Sequence, residues 1–217
     1  MVHIYVADIR NLPDPKEYPE MLQYVSDERK NKTMKYLQAG DRKRCLGAGM
    51  MLEEILPRHG ASPGTITLNS DGKPEAEGVY FNLSHSDDLV ICAVGEKPVG
   101  CDIEKIVEEP KGVAERFFHQ KEAEYLDSFE DEKRNEAFFR LWTLKESYLK
   151  MTGEGLHLPL DSFEILIEPE KVQVRRAGEI LPCHIMEYTI PGYKLSVCAE
   201  EGQFAKCVKY IILAAPR

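Results

Sequence analysis

The sequence contains no long apolar segment. Its longest apolar runs, Leu89 to Val94 and Tyr210 to Ala214, span six and five residues, whereas a helix that crosses a bilayer needs about 20. The amino terminus alternates in polarity and includes Asp8 and Arg10, unlike the charged start and apolar stretch of a secretory signal. We therefore expect a cytoplasmic protein that does not act at a membrane.

Closely paired cysteines are also missing. The six cysteines include no Cys-x-x-Cys pair, and several lie inside apolar runs that are typical of strands. Paired cysteines are the usual sign of a zinc site, and disulfides are typical of secreted proteins. We predict reduced and mostly buried thiols, with a disulfide or a zinc site as the alternative.

Positive charge is scarce overall. The 217 residues include 28 Lys and Arg against 37 Asp and Glu, a formal net charge of −9, which argues against a general nucleic-acid-binding protein. The deficit is uneven, because residues 29–44 hold seven basic residues and one acidic residue (+6), while the other 21 basic and 36 acidic residues give −15. The basic segment is either an anion site near a helix N-terminus or a solvated helical face.

Neither a sequence repeat nor a Pro/Gly/Ser-rich linker divides the chain. Periodicity and turn signals predict strands at 2–7, 79–83, 89–94, 99–104, 163–167, 172–175, 184–189, 193–200 and 207–214, and helices at 26–38, 41–56, 113–118, 120–129 and 135–151. Ser26 and Asp41 are the expected N-caps of the first two helices. This order predicts an α+β fold with two similar halves, residues 1–104 and 105–217.

Two carboxylates stand on one face of the predicted strand at 99–104. Strand alternation directs Asp102 and Glu104 away from the face that carries Val99, Cys101 and Ile103. Carboxylate oxygens are the ligands that Mg²⁺ prefers, and the ion keeps positions for substrate phosphates. The pair predicts a cation site, and the alternative is a solvated strand face.

The predicted helix at 135–151 carries a second charged group. Glu146 and Lys150 lie one turn apart, which also fits an ordinary i,i+4 ion pair worth about 0.2–0.5 kcal/mol. Lys145 falls on or beside the apolar stripe, so its stem can pack there while its ammonium reaches a charge. Three acids with nearby lysines favour a site for a metal ion and a diphosphate.

Ser84 and His85 follow a predicted strand. A hydroxyl, an imidazole and free amides at a turn are suitable phosphate ligands. A hydrolase nucleophile and base is disfavoured, because there is no Gly-x-Ser-x-Gly motif and adjacent strand residues point to opposite faces.

Together these motifs resemble the 4′-phosphopantetheinyl transferases of the Sfp (surfactin-synthetase-activating) type. The matching pieces occur in family order and with family spacing, mostly within residues 70–163. They are Gly72-Lys73-Pro74, Phe81-Asn82-Leu83-Ser84-His85-Ser86, Gly100-Cys101-Asp102-Ile103-Glu104, Arg116-Phe117-Phe118 with Glu122, Trp142-Thr143-Leu144-Lys145-Glu146-Ser147, and the tail from Gly155 to Phe163.

The resemblance implies two α+β halves related by a pseudo-twofold axis, with the active site in the cleft between them. It implies transfer of 4′-phosphopantetheine from coenzyme A to a serine of an apo acyl or peptidyl carrier protein, with release of 3′,5′-ADP. Mg²⁺ is the implied cofactor and Mn²⁺ its possible substitute. A cleft built within one chain implies a monomer, and neither nucleic acid nor a membrane is an expected partner.

The resemblance also assigns roles to individual residues. It implies Mg²⁺ ligation by Asp102, Glu104 and Glu146, and phosphate contacts from Ser84 and His85. It places Lys73 along the nucleotide, Lys145 and Lys150 near the diphosphate, and Arg29, Lys32 and Arg44 at further phosphates. Two positions depart from the family pattern, since Arg29 stands where lysine is common and Cys45 stands near a position of hydroxyl residues.

The proton of the attacking serine needs an acceptor. Glu146, a metal-bound water and Glu122 are all candidates at this stage. Two other functions also fit the acids: a metal-dependent phosphoesterase or nuclease, which would release product without a carrier, and a coenzyme A-binding module without turnover.

Overall fold

The computed structural model describes residues 1–69 and 72–213. Its helices are α1 (Asp27–Lys35), α2 (Ala39–Ile55), α3 (Val113–Phe117), α4 (Gln120–Leu126) and α5 (Asp131–Thr152). Its strands are β1 (His3–Asp8), β2 (Thr67–Leu68), β3 (Pro74–Glu75), β4 (Tyr80–Ser86), β5 (Leu89–Gly95), β6 (Val99–Lys105), β7 (Phe163–Ile167), β8 (Val172–Arg176), β9 (Glu179–Ile180), β10 (His184–Ile190), β11 (Tyr193–Ala199) and β12 (Lys209–Ile211).

Helix boundaries follow local capping in part. Ser26 is the N-cap of α1, as predicted, and its side chain accepts a hydrogen bond from the Arg29 amide. The prediction that Asp41 caps α2 is wrong, because α2 begins at Ala39 and Asp41 lies in its first turn. The predicted last strand is shorter than expected, since β12 ends at Ile211, and Ala214 lies outside the described residues.

Two antiparallel sets of strands form the centre of the molecule. One sheet has the order β12-β1-β5-β4, in which β12 runs parallel to β1, and the other has the order β10-β11-β6. Alternate residues of β1 show how the first sheet is covered on both faces. Ile4 and Val6 pack into a core between the two sheets, whereas Tyr5 and Ala7 pack into the core that includes α2.

The second sheet is built on the same pattern. Val197 of β11 faces the core between the sheets, and Cys198 faces a third core that α5 forms. Three antiparallel strands covered by one long helix therefore occur twice, which confirms the predicted α+β fold of two similar halves. None of the helices in residues 1–69 and 72–213 is long and apolar enough to span a membrane.

Strand pairing does not follow the predicted division after residue 104. All seven residues of β6 pair with residues of β11, so β6 belongs to the second sheet. β12 returns to pair with β1 of the first sheet. The two halves are therefore interleaved in sequence at both ends.

β6 lies unusually close to α5 at Gly100. A Cβ on this residue would lie 2.2 Å from both the Met151 amide nitrogen and the Ser147 carbonyl oxygen. Only glycine permits such an approach of strand backbone to helix backbone. Because of this contact, the face of β6 that carries Asp102 and Glu104 packs against α5.

Side chains of β4 bind the other edge of β6. The backbone amides of Cys101, Ile103 and Lys105 donate to Asn82 Oδ1 (2.9 Å), Ser84 Oγ (3.4 Å) and Ser86 Oγ (3.0 Å) respectively. We call these three contacts the β4–β6 side-chain ladder. It joins the two sheets, so the Asn-x-Ser-x-Ser pattern has a structural role beside any contact with a ligand.

The predicted reduced thiols are present. None of the six cysteines, which all lie in the described residues, is in a disulfide, and four of them are buried.

Candidate active site

A cleft of about 600 Å³ opens between the two sheets and their helices. Its walls include eight of the twelve residues that the sequence singled out, namely Arg29, Lys32, Ser84, His85, Asp102, Glu104, Glu146 and Lys150. Basic side chains of α1 and the end of β4 form one wall, and β6 with α5 forms the other. The structure therefore brings together residues that are up to 121 positions apart in the chain.

Three carboxylates crowd the second wall. Burial raises the pKa of Glu104, and the neighbouring Asp102 and Glu146 carboxylates raise it further. Burial also raises the pKa of Glu146, again with a contribution from Asp102. Mutual repulsion of this kind is relieved when a cation binds among the acids.

Asp102 has one oxygen bound and one free. Its Oδ1 accepts from Lys150 Nζ (2.6 Å) and from Ser84 Oγ (2.8 Å). Its Oδ2 is buried and has no hydrogen-bond partner among the described residues. Burial opposes the charge on Lys150, but the contact with Asp102 outweighs it and raises the pKa of that lysine. Lys150 therefore pairs with Asp102 of β6 within the same wall of the cleft, and not along its own helix with Glu146.

The acids fit a hard divalent cation in their chemistry. An unpartnered, buried carboxylate oxygen beside two half-buried carboxylates is the oxygen-rich environment that Mg²⁺ prefers. Within the described residues, however, no three His, Cys, Asp or Glu side chains have the spacing of a formed metal site. The donors are present, and the ammonium of Lys150 lies among them.

Some side chains of the basic segment at 29–44 are held in local contacts. Lys30 pairs with Asp27, and the largely buried Arg42 pairs with Asp14 through two hydrogen bonds. Lys43 donates to a backbone carbonyl. Asp27 and Asp14 lie outside the segment's own sequence, and the two ion pairs leave most of its positive charge in place. The anion-site interpretation therefore stays a prediction, and it concerns the basic side chains that reach the cleft.

Arg29 and Lys32 are the basic residues of this segment that line the cleft. Neither has an ion pair with any residue that the structure describes. Gly49 of α2 lets α1 approach closely, since a Cβ there would lie 2.7 Å from Cγ of Arg29. The guanidinium of Arg29 lies 3.9 Å from Cys45 Sγ, so the unusual cysteine is a neighbour of this cation in the cleft wall.

Arg44 does not reach the cleft. Its guanidinium donates to the Asp41 carboxylate (2.6 Å) and to the Asp87 carbonyl oxygen (3.2 Å). It acts on the site at a distance, because burial lowers the pKa of His85 and the positive charges of Arg44 and Lys150 add to that effect. The implied phosphate contact of Arg44 stays a prediction, and the structure places this residue beside Asp41, which lines the cleft.

Lys145 and Glu122 form a buried ion pair outside the cleft. Lys145 Nζ lies 2.8 Å from Glu122 Oε2 and donates to the Leu160 and Phe163 carbonyl oxygens. Glu122 in turn accepts from the Ile165 amide, and both side chains are at most 3% exposed. The implied place of Lys145 at the diphosphate is wrong, whereas the expectation that its ammonium reaches a charge is confirmed. Glu122 has no access to a substrate serine.

Lys73 turns away from the cleft. Its ammonium donates to the Lys150 carbonyl oxygen at 2.6 Å, and only its neighbours Gly72 and Pro74 line the cavity. The implied position of Lys73 along the nucleotide stays a prediction, since the residues on either side of it line the cleft while its ammonium binds α5. Lys73 ties its loop to the C-terminal end of α5.

Sequence reasoning missed the cleft position of two aromatic residues. Trp142 lies one helical turn before Glu146, and Tyr36 follows α1. The spacing of four between Trp142 and Glu146 is a signal that places both on one face of the helix. Tyr36 has no comparable signal.

Residues 98–198 match the family model of the 4′-phosphopantetheinyl transferase superfamily. The chain is 34% identical over 204 residues to the 4′-phosphopantetheinyl transferase ffp of Bacillus subtilis, with 90% of this chain and 91% of that protein covered. The chain belongs to the 4′-phosphopantetheinyl transferase superfamily. It is also 30% identical to the transferase Sfp of Bacillus subtilis strain 168, with the same coverage, and 32% identical to gsp of Aneurinibacillus migulanus, with 92% and 86% covered.

The chain is also similar, more distantly, to a solved structure. A holo-(acyl-carrier-protein) synthase from Bacillus anthracis in complex with CoA (3′,5′-ADP) is 17% identical and has a TM-score of 0.42 over 49% of this chain and 96% of that one. Membership in the superfamily confirms the family resemblance, and with it the predicted fold and enzyme class.

Proposed function

We propose that this chain transfers the 4′-phosphopantetheine group of coenzyme A to a serine of an apo acyl or peptidyl carrier protein. The observation that carries the proposal is the cleft, whose lining combines Arg29 and Lys32, which have no ion pair with a described residue, with the acids Asp102, Glu104 and Glu146. Cations suit the phosphates of coenzyme A, and acids suit the metal ion that accompanies a diphosphate. The products are the holo carrier and 3′,5′-ADP.

The first wall binds the nucleotide part of coenzyme A. Arg29 and Lys32 supply positive charge, and His85 supplies an imidazole whose pKa is lowered by burial. A neutral imidazole donates one hydrogen bond to a phosphate oxygen without a net charge. Ser84 lies between this wall and Asp102, because its hydroxyl donates to that carboxylate.

The second wall binds the diphosphate. Asp102, Glu104 and Glu146 would hold Mg²⁺ or Mn²⁺, which neutralises charge on the diphosphate oxygens when bound. Lys150 offsets the charge that develops on the departing 3′,5′-ADP oxygen as the bond from the pantetheine phosphorus to that oxygen breaks. The serine oxygen forms the new bond to phosphorus.

Glu146 is the carboxylate that we assign to the serine proton. It lines the cleft, so its carboxylate is accessible to a serine that enters there. Glu122 is enclosed by Lys145 and backbone amides, so we do not assign it this role.

The carrier would dock at the end of α1. Met34, Tyr36 and Leu37 are exposed there, Leu37 by 91%, and Tyr36 also lines the cleft. Lys32 and Lys35 stand beside these apolar side chains. An apolar patch flanked by lysines complements an amphipathic, acidic carrier. We propose a cytoplasmic monomer, because one chain supplies both walls of the cleft.

The direct test is the mass of the carrier. The protein is incubated with coenzyme A, Mg²⁺ and a panel of apo carriers, and each carrier is weighed by mass spectrometry. We expect a gain of one phosphopantetheine group, strongly reduced in Asp102→Asn and Glu146→Gln and unchanged in Lys30→Ala, whose ammonium pairs with Asp27 outside the cleft. No gain across the panel would refute the proposal.

Two controls separate the other functions. Release of 3′,5′-ADP in reactions without any carrier would indicate a phosphoesterase. Binding of coenzyme A that does not respond to Mg²⁺, together with no turnover, would indicate a binding module.

A further inference from the structure

The β4–β6 side-chain ladder contains the same arrangement twice. Ser84 Oγ accepts from the Ile103 amide and donates to Asp102 Oδ1 (2.8 Å). Ser86 Oγ accepts from the Lys105 amide and donates to Glu104 Oε2 (2.7 Å). Each serine therefore binds the carboxylate of one β6 residue and the amide of the next.

This geometry determines the direction of each serine proton. A hydroxyl has one hydrogen to donate, and a backbone amide can only donate to it. When the amide of Lys105 occupies a lone pair of Ser86 Oγ, the hydroxyl hydrogen is left for Glu104. Ser86 is thus held by the strand backbone in an orientation that binds one oxygen of this carboxylate.

The Glu104 carboxylate is held by fewer contacts than the Asp102 carboxylate, so its hydrogen bond to Ser86 matters more for its orientation. Asp102 is 3% exposed and is also bound by Lys150. Glu104 is half-buried near the open end of β6, has one more rotatable bond, and has no ion pair among the residues that the structure describes. Without a partner, its carboxylate would sample several rotamers.

We propose that Ser86 is a positioning residue that orients Glu104 for a divalent cation in the cleft. The proposal rests on the cation site put forward under Proposed function. Ser86 does not contact the cation, and it acts by limiting where the Glu104 carboxylate points. Groups that orient metal ligands in this way typically contribute about 10–100-fold to metal affinity.

The experiment measures cation binding apart from turnover. The dissociation constant for Mn²⁺ is obtained from the electron paramagnetic resonance signal of the free ion, with one equivalent of coenzyme A present. The variants are Ser86→Ala, Ser86→Thr and Glu104→Gln, and Ser128→Ala is the matched control, because its hydroxyl donates to the Tyr125 carbonyl away from the cleft. The Mg²⁺ concentration for half-maximal carrier modification and the KM for coenzyme A are measured in parallel.

We expect Ser86→Ala to weaken Mn²⁺ binding and raise the half-maximal Mg²⁺ concentration by about tenfold, with little change in the KM for coenzyme A. Ser86→Thr keeps the hydroxyl and should bind Mn²⁺ like the unaltered protein, as should Ser128→Ala. The thermal midpoint of Ser86→Ala should stay close to that of the unaltered protein, because Lys105 is exposed and water can replace the lost acceptor.

Two results would overturn the inference, and they differ in what else they overturn. If Glu104→Gln loses Mn²⁺ binding while Ser86→Ala keeps it, Ser86 has no positioning role and the cation site stands. If Glu104→Gln binds Mn²⁺ as tightly as the unaltered protein, the cation site itself is wrong, and the role of Ser86 is lost with it.

Discussion

Substitution of Gly100 by alanine tests how the active site is assembled. The added Cβ would lie 2.2 Å from the Met151 nitrogen and the Ser147 oxygen, and both are backbone atoms of α5. Neither can rotate away as a side chain would. Relief of the clash therefore requires β6 and α5 to separate.

The size of this separation follows from the contact distances. Ordinary contacts of a Cβ begin near 3.4 Å, so the strand must move by about 1 Å or more. Asp102 lies two residues along the same strand and is 2.6 Å from Lys150 Nζ. A displacement of about 1 Å breaks that hydrogen bond, and misplacement on this scale costs about 100-fold in rate.

The assay is carrier modification under kcat/KM conditions, normalised to folded enzyme by circular dichroism. Gly47→Ala is the matched control, because its Cβ would lie 2.7 Å from Cγ2 of Ile9, a side-chain atom in the core of the first sheet. Overpacking there costs about 1–3 kcal/mol of stability and leaves β6 against α5. We expect a loss of about 100-fold in kcat/KM for Gly100→Ala and a change within about twofold for Gly47→Ala.

An unchanged kcat/KM in folded Gly100→Ala would refute the reasoning. It would mean that the close approach of β6 to α5 does not determine the geometry of Asp102 and Lys150. An equal loss in both variants would refute it as well, because activity would then follow general packing.

Two further predictions concern residues outside the cleft. Lys145→Met should lower the free energy of unfolding by about 3–5 kcal/mol, because the substitution leaves the Glu122 carboxylate buried without its partner. Chemical denaturation measures this difference, and a variant as stable as the unaltered protein would contradict the prediction. Arg42 holds the pKa of Asp14 at about 2, below its ordinary 3.8. This lowered pKa adds about 2 kcal/mol to the free energy of unfolding above pH 4, and the contribution is lost as the pH falls toward 2 and Asp14 is protonated. The stability difference between the unaltered protein and Arg42→Met should therefore shrink between pH 4 and pH 2, and a difference that is constant over this range would exclude the ion pair as its source.

Local sequence patterns predicted much of the fold and the acidic wall of the cleft. The alternation of Val99, Cys101 and Ile103 with Asp102 and Glu104 indicated which side chains face the core, and the structure places the apolar three in the core between the sheets. Such patterns predict the buried face because the strand backbone directs successive side chains to opposite faces, and the apolar side chains are the ones that leave water.

Charged residues were predicted less well. The basic residues at 29–44 are close together in sequence, yet Arg42 binds Asp14, and of the seven only Arg29 and Lys32 are among the residues that line the cleft. Lys145 and Lys150 are five residues apart on one helix, and they face a buried glutamate and the cleft respectively. A charge is stabilised by whichever opposite charge the fold brings near, and sequence distance does not determine that neighbour.

The sequence by itself determined the periodicity of the main strands and helices, the capping serine of α1 and the residue types from which a phosphate and cation site can be built. Only the tertiary structure decided which of those residues share the cleft. The decisive contacts are the approach of β6 to α5 at Gly100 and the β4–β6 side-chain ladder. Both join segments that are distant in the chain, and their geometry depends on packing of whole sheets and helices, which no local pattern encodes.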